Sequence, residues 1–359
     1  MQCDLIQNAE SPDAALRTAA GPLREPEGRP ADTPALMVTV DTEEDGAWDG
    51  AFRARGNTVR NLRGLRRFQD CCARYGVRPT YLVDTPALAD NAAVELLGHF
   101  QGTGRCEVGA HLHPWCAPPL EETPDARTSF MCNLPERLQR EKLTRLTDEI
   151  ERRIGRRPTS FRAGRYGLDA VGARILEKLG YVADSSVIGF LDYSSRGGPD
   201  FRRAPYQPYR IGGDDLLVEH PAGTVLEVPV SVGFSRPGFR RAQRIRRWVE
   251  RPALRPLRLV GILDRLNLVR RIKLSPEQAD AKRMRQLVDA YLAEGARSVV
   301  MMLHSASLVA GCSPYVADAP GLERLYDDLI ATWEHCLAVR GMTAPTLTEF
   351  AAAQLQATR

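Results

Sequence analysis

Leu36-Met37-Val38-Thr39-Val40 passes without a spacer into Asp41-Thr42-Glu43-Glu44-Asp45. So short and apolar a run, rich in β-branched residues, reads as a strand buried on both faces. Side chains i and i+2 of an extended chain share a face, so Asp41 and Glu43 point the same way. A second stretch repeats the device: Glu107-Val108-Gly109-Ala110 runs into His111-Leu112-His113, with two of the chain's six histidines on one face. Two carboxylates opposite two imidazoles suit a divalent cation of the zinc class, with one carboxylate left over for proton transfer.

Outward from these pieces, strand-like and helix-like stretches alternate. Expected strands are Leu36–Val40, Pro79–Val83, Arg105–Ala110, Thr159–Arg162, Tyr181–Ala183, Thr224–Val230 and Ser298–Leu303. Helical periodicity covers Asn57–Tyr75, Asp90–Phe100, Pro135–Ile154, Asp169–Leu179, Glu277–Glu294, Gly321–Val339 and Thr346–Gln354. About seven strands alternating with helices imply a parallel sheet or barrel, whose functional groups gather at the C-terminal ends of the strands. Asp41, His111, Arg162, Asp184 and His304 each follow an apolar run directly.

Each of these has a plain and a chemical reading. Asp41, at the rim of the core, is placed for desolvation to tune it as a base, or belongs to an ordinary acidic loop. His304 is a buried structural histidine or a general acid. Arg162, in Phe161-Arg162-Ala163-Gly164-Arg165-Tyr166-Gly167, clamps a carboxylate or decorates a turn. Asp184, in Asp184-Ser185-Ser186, orients a histidine or caps a helix.

The 359 residues carry a net charge of only +4, with 43% hydrophobic and 26% charged residues, as in an ordinary globular protein. No run reaches the roughly 18 apolar residues that cross a bilayer. Residues 1–34 show no apolar signal segment and read as a disordered leader; the rest, 35–359, reads as one barrel domain. The eight cysteines form no CxxC pair, which fits reduced thiols and a cytoplasmic protein. Thirteen Arg/Lys against two acids crowd Arg236–Lys273, a local excess of 11 that leaves −7 on the remainder. That distribution argues against a nucleic-acid-binding protein. It marks a basic helical insertion at about 236–275, either a solvated arginine face or a surface that rests on anionic lipid at the inner membrane face or grips a pyrophosphate-linked glycan.

In order, these pieces resemble the motifs of the NodB-homology polysaccharide deacetylases, the fourth family of carbohydrate esterases. Val38–Glu43 is similar to the family's aspartate motif, Glu107–His111 to its histidine motif, Phe161-Arg162 to its arginine motif, Asp184–Ser186 to its fourth motif and Leu303-His304 to its leucine–histidine motif. The resemblance implies a distorted (β/α)7 barrel, one divalent metal (usually zinc), and hydrolysis of an N-acyl, usually N-acetyl, group on a sugar or lipid-linked glycan in cell-surface polysaccharide or lipopolysaccharide biosynthesis. It implies Asp41 as general base, Arg162 holding Asp41, His304 as acid to the leaving amine, Asp184 orienting His304, and His111 on the metal. Thr42 stands where the family has its second acid and Trp115 where it has its second histidine. Glu43 and His113 are therefore the expected replacement ligands. The same departures motivate two alternatives: a non-catalytic member that binds glycan or a partner, and a hydrolase of another small amide or formamide.

Overall fold

The computed structural model describes residues 33–252, 259–265 and 269–357. The expected leader therefore lies, apart from Thr33 and Pro34, outside the described residues. The strands are β1 (Ala35–Thr42), β2 (Thr80–Val83), β3 (Glu107–Leu112), β4 (Ser160–Ala163), β5 (Ala183–Asp184), β6 (Tyr209–Ile211), β7 (Val225–Glu227), β8 (Val232–Phe234), β9 (Arg271–Lys273) and β10 (Ser298–His304). Eight form one sheet in the order β10-β1-β2-β3-β4-β5-β7-β6. All neighbours are parallel except β6, which runs antiparallel to β7.

Seven parallel strands, separated by α-helices everywhere except between β5 and β7, where β6 intervenes, make a distorted (β/α)7 barrel. The seam between β7 and β10 holds by single bonds instead of a ladder. Ser231, just beyond β7, donates its N–H to Val300 O (3.2 Å) and accepts the Val300 N–H at Oγ (2.9 Å). The core explains why β1 carries no polar alternation: all eight of its residues are buried, covered on both faces.

Register sets the level of the chemistry. β1 and β10 pair so that Asp41 lies beside His304, and β3 and β4 pair so that His111 lies beside Arg162. Helix starts follow their caps. Asp169 accepts from Gly172 N at the helix Ala170–Leu179. The helix expected from Glu277 instead begins at Ala281, because the Asp280 side chain accepts from Arg283 N and fixes the first turn there. Glu277 is thereby left in the approach to the helix, free to reach elsewhere.

The basic segment is an excursion whose two ends are tied by the antiparallel pair β8–β9. Its helix Phe239–Val249 buries Phe239, Ala242, Gln243 and Val249. Arg241, Arg244, Ile245 and Trp248 fall on the opposite, exposed stripe, with Trp248 52% exposed. Among the described residues no helix is long and apolar enough to cross a membrane.

Candidate active site

Arg162 is fully buried and spans the space between β4 and β1. Its Nη1 donates to Asp41 Oδ1 at 2.5 Å and its Nη2 to Thr39 Oγ1 and Ser185 Oγ, both at 2.9 Å. Its Nε donates to Ser185 O. A guanidinium so fully engaged is a fixed charge, and its partner Asp41 is fixed with it. Burial alone would push the Asp41 carboxyl up. Arg162, helped by His111 and His304, more than offsets this and holds it well below the usual carboxylate range. Asp41 Oδ2 is left facing the cavity.

Beside Asp41, three donors from two strand ends converge. Nε2 of His111 and Nε2 of His113 each lie 3.4 Å from Glu43 Oε2, and the ligand atoms of the three residues all lie within 4.8 Å of one another. In a tetrahedral site with bonds near 2.0–2.2 Å, ligand atoms stand about 3.3–3.6 Å apart. Both imidazoles are pinned at the other ring nitrogen. His111 Nδ1 meets Arg162 O at 2.9 Å, and His113 Nδ1 meets Glu44 Oε2 at 2.9 Å. With Nδ1 donating, each Nε2 keeps a lone pair toward Glu43. Burial, reinforced by Glu44 and Asp41, pushes Glu43 up to about 7 despite the nearby histidines. A buried carboxylate crowded by two others, with two imidazole lone pairs beside it, is a donor set that fits a small divalent cation.

The support behind His113 was not legible in the sequence. Glu44 accepts from Trp115 Nε1 at 2.8 Å and its own N–H reaches Asp84 Oδ2 at 3.0 Å. Trp115 stacks on His113 with ring centroids 4.2 Å apart. Burial opposes ionisation of Glu44, but His113 and the Asp84 hydrogen bond keep it below its usual range, while burial and Glu44 push Asp84 well up. Gly164 completes the fit: a Cβ there would stand 2.4 Å from His113 Cδ2 and 2.6 Å from Leu112 O. The glycine serves close approach of the histidine, not a ligand as such. Buried Lys142 braces the same loop, donating to Pro114 O (3.0 Å), Ala117 O and Pro119 O (both 2.6 Å).

On the far side, His304 Nε2 lies 4.0 Å from Asp41 Oδ2. Its Nδ1 meets both oxygens of Glu277, at 3.0 and 2.9 Å, and its backbone N–H donates to Glu277 Oε1. Burial disfavours the imidazolium, but Glu277, Glu43 and Asp41 outweigh it and raise His304 to about 9. Orienting His304 thus falls to Glu277, and the expectation for Asp184 is corrected. Asp184 registers with Phe161, so it takes that side of the sheet, opposite to Arg162. There it accepts from Ser186 Oγ (2.6 Å) and Ser186 N (3.2 Å), next to buried Glu227.

The groups open into a cavity of about 320 Å³, walled by Trp48, Phe52, Trp115, Phe130, Tyr166 and Tyr193 and carrying Arg165 and Arg196 at its side. Trp48 meets His304 edge-on at 5.0 Å.

Solved structures share the fold that carries these residues. One match is a protein assigned as a polysaccharide deacetylase from Mycobacterium smegmatis: 18% identity over 95% of each chain, TM-score 0.52. Another is a protein assigned as a glycoside hydrolase/deacetylase from Parabacteroides distasonis: 16% identity over 90% of this chain and 72% of that one, TM-score 0.60. No protein-family model and no curated protein matches the sequence. At these identities the likeness is one of fold: this chain has the polysaccharide-deacetylase barrel.

Proposed function

We propose that the chain is a metal-dependent hydrolase that removes an N-acyl group, acetyl in the simplest case, from a sugar. The observation that carries this reading is the pairing of Asp41 with His304 across 4.0 Å, each locked by its own counter-ion, beside the Glu43–His111–His113 donor set. A divalent cation held by those three donors, zinc in this reading, supplies charge for the developing oxyanion and lowers the pKa of water.

Asp41 does the rest of the base chemistry. Oδ1 is taken by Arg162, so Oδ2 receives the proton as water oxygen bonds to the acyl carbon and the carbonyl electrons move to oxygen. A permanently ionised carboxylate is a weak base, and it suffices where the water is already acidified. Collapse of the tetrahedral species then breaks the C–N bond. The leaving nitrogen takes the proton from His304 Nε2, because an amide anion is too poor a leaving group to depart unprotonated. His304 suits that step: Glu277 fixes its Nδ1–H, and a value raised to about 9 keeps Nε2 protonated at neutral pH. The products are a carboxylic acid and a sugar amine. Trp48, Phe52 and Trp115 offer flat apolar walls for a sugar ring. The sugar, the metal and a setting in cell-surface glycan synthesis draw support from the motif order. On the same reading the exposed stripe of Arg241, Arg244, Ile245 and Trp248 seats the enzyme on anionic lipid; stronger flotation with anionic than with neutral vesicles supports this, and equal flotation removes it.

The test is metal analysis with an acetate-release assay on N-acetyl sugars and small amides. The reading expects about one equivalent of zinc and acetate from an N-acetyl sugar, abolished by chelation and by Asp41→Asn. A protein that holds zinc but cleaves only small non-sugar amides, or no amide, overturns it.

A further inference from the structure

Arg165 and Arg196 belong to the cavity but to none of the steps above. Arg165 follows the strand end that carries Arg162 and has its backbone in the left-handed region, φ 54°, as does Tyr166, φ 62°. Two successive non-glycine residues there are strained, and strain persists where surrounding structure enforces it. The enforcement is visible. The guanidinium lies over the Phe130 ring at 4.1 Å and the Phe52 ring at 5.2 Å. Its Nη1 donates to Ala126 O and Ser129 Oγ. Arg196 projects from a braced loop: Tyr193 N donates to Pro199 O (2.9 Å), Gly198 N to Tyr193 O (3.0 Å) and Asn133 Nδ2 to Gly197 O (2.7 Å).

Among the described residues neither arginine has a carboxylate partner, although arginines elsewhere in the chain, such as Arg67, Arg137 and Arg202, have one. Instead the two face each other's charge: burial and Arg196 both press Arg165 below its ordinary value. The two acids that line the cavity, and Glu277 behind His304, cannot serve as counter-ions. Asp41 is taken by Arg162, Glu43 faces the two histidines, and Glu277 is spent on His304. Two like charges at the wall of one cavity, one seated on aromatic rings and the other carried by a braced loop, form an oxyanion seat.

Resting on the deacetylase reading, we propose that the substrate carries an anionic group, a carboxylate or a phosphate ester, which sits on Arg165 and Arg196 while its N-acyl group lies between Asp41 and His304. A neutral sugar would leave both guanidinium groups unmatched. The charge therefore selects among N-acyl sugars, and Arg165 and Arg196 determine specificity without touching the reacting atoms.

The experiment compares the zinc-loaded full chain on methyl N-acetylglucosaminide, N-acetylglucosamine 1-phosphate and an N-acetylated aminouronate. The expected result is a kcat/KM at least tenfold higher for one or both anionic sugars, carried mainly by KM. The phosphate and uronate arms tell the two sources apart. In Arg196→Gln the anionic-to-neutral ratio falls toward one, and Arg196→Lys restores part of it. Arg196 is exposed, so its variants keep the fold; Arg165→Gln is read only after circular dichroism matches the parent. A ratio near one in the parent, or a ratio unchanged in Arg196→Gln, overturns the proposal. If no sugar amide is cleaved, the deacetylase reading fails by itself and the seat is judged on binding. Quenching of tryptophan fluorescence by the sugar phosphate, stronger than by the neutral glycoside and lost in Arg196→Gln, sustains it; equal quenching by both ends it.

Discussion

His111 at the end of β3 and His304 at the end of β10 line the same cavity, yet their charged forms fare oppositely. Burial, with Arg162 adding to it, presses His111 below its ordinary value, and Asp41 only partly offsets this. Burial acts on His304 too, but Glu277, Glu43 and Asp41 override it and raise it to about 9. The difference lies in what meets Nδ1: a neutral backbone carbonyl for His111, a carboxylate for His304. At His111 the carbonyl fixes the tautomer and leaves Nε2 a lone pair; at His304 the Glu277 carboxylate, with Glu43 and Asp41 also near, stabilises the imidazolium and leaves Nε2 a proton, whereas the Glu44 carboxylate at His113 pins Nδ1 and leaves Nε2 turned to Glu43. One barrel thereby builds an acceptor bank and a donor bank from the same side chain.

The hardest blow to this contrast is aimed at the acid between the banks. Asp41→Asn should lower kcat by about 10²–10⁴ while cation binding persists, measured as acetate release and zinc content. Paired substitutions then separate the banks. His304→Gln should keep its zinc and lose turnover by a similar factor, whereas His111→Gln should lose the zinc itself. If both variants lose zinc alike, the distinction collapses.

A smaller effect is expected at the supports. Glu44→Gln should weaken zinc affinity about 10–100-fold, since it orients His113 without itself ligating; competition with a chromophoric chelator reads this directly. Gly164→Ala should act in the same direction, by pushing the His113 ring off its place.

The mildest test is the pH profile. The folded value of His304, about 9, lies above its ordinary 6.5. Its pairing with Glu277 therefore contributes stability in full below about pH 6.5, and this is lost as pH rises through about 9. Activity that needs the imidazolium should decline over the same rise. Glu277→Gln removes the largest stabilising charge, so the alkaline limb should move to lower pH. An unmoved limb would mean that another group reports it.

Much of this was readable beforehand because local pattern and register agree. The period of two put Asp41 with Glu43, and His111 with His113, on common faces, and the structure brings all four to one cavity. What escaped reading came from sequence-distant neighbours or from the turn before a helix. Glu44 looked like one more acid in an acidic run. Glu277 sat in what periodicity counted as helix, until the Asp280 cap released it. Asp184 failed for the converse reason: a strand end looks the same in sequence whichever side of the sheet its carboxylate takes.

The sequence by itself determined the barrel's alternation of strands and helices, the strand ends that bear polar groups, and which residues of each strand share a face, since these follow from backbone geometry and from the burial of apolar runs. Only the tertiary structure decided which carboxylate answers which histidine. Partners 27 residues apart, as Glu277 and His304, or 69 apart, as Glu44 and His113, meet through barrel closure and loop bracing. Charge acts through space, and the chain's order along its length says little about which charges end up a few ångströms apart.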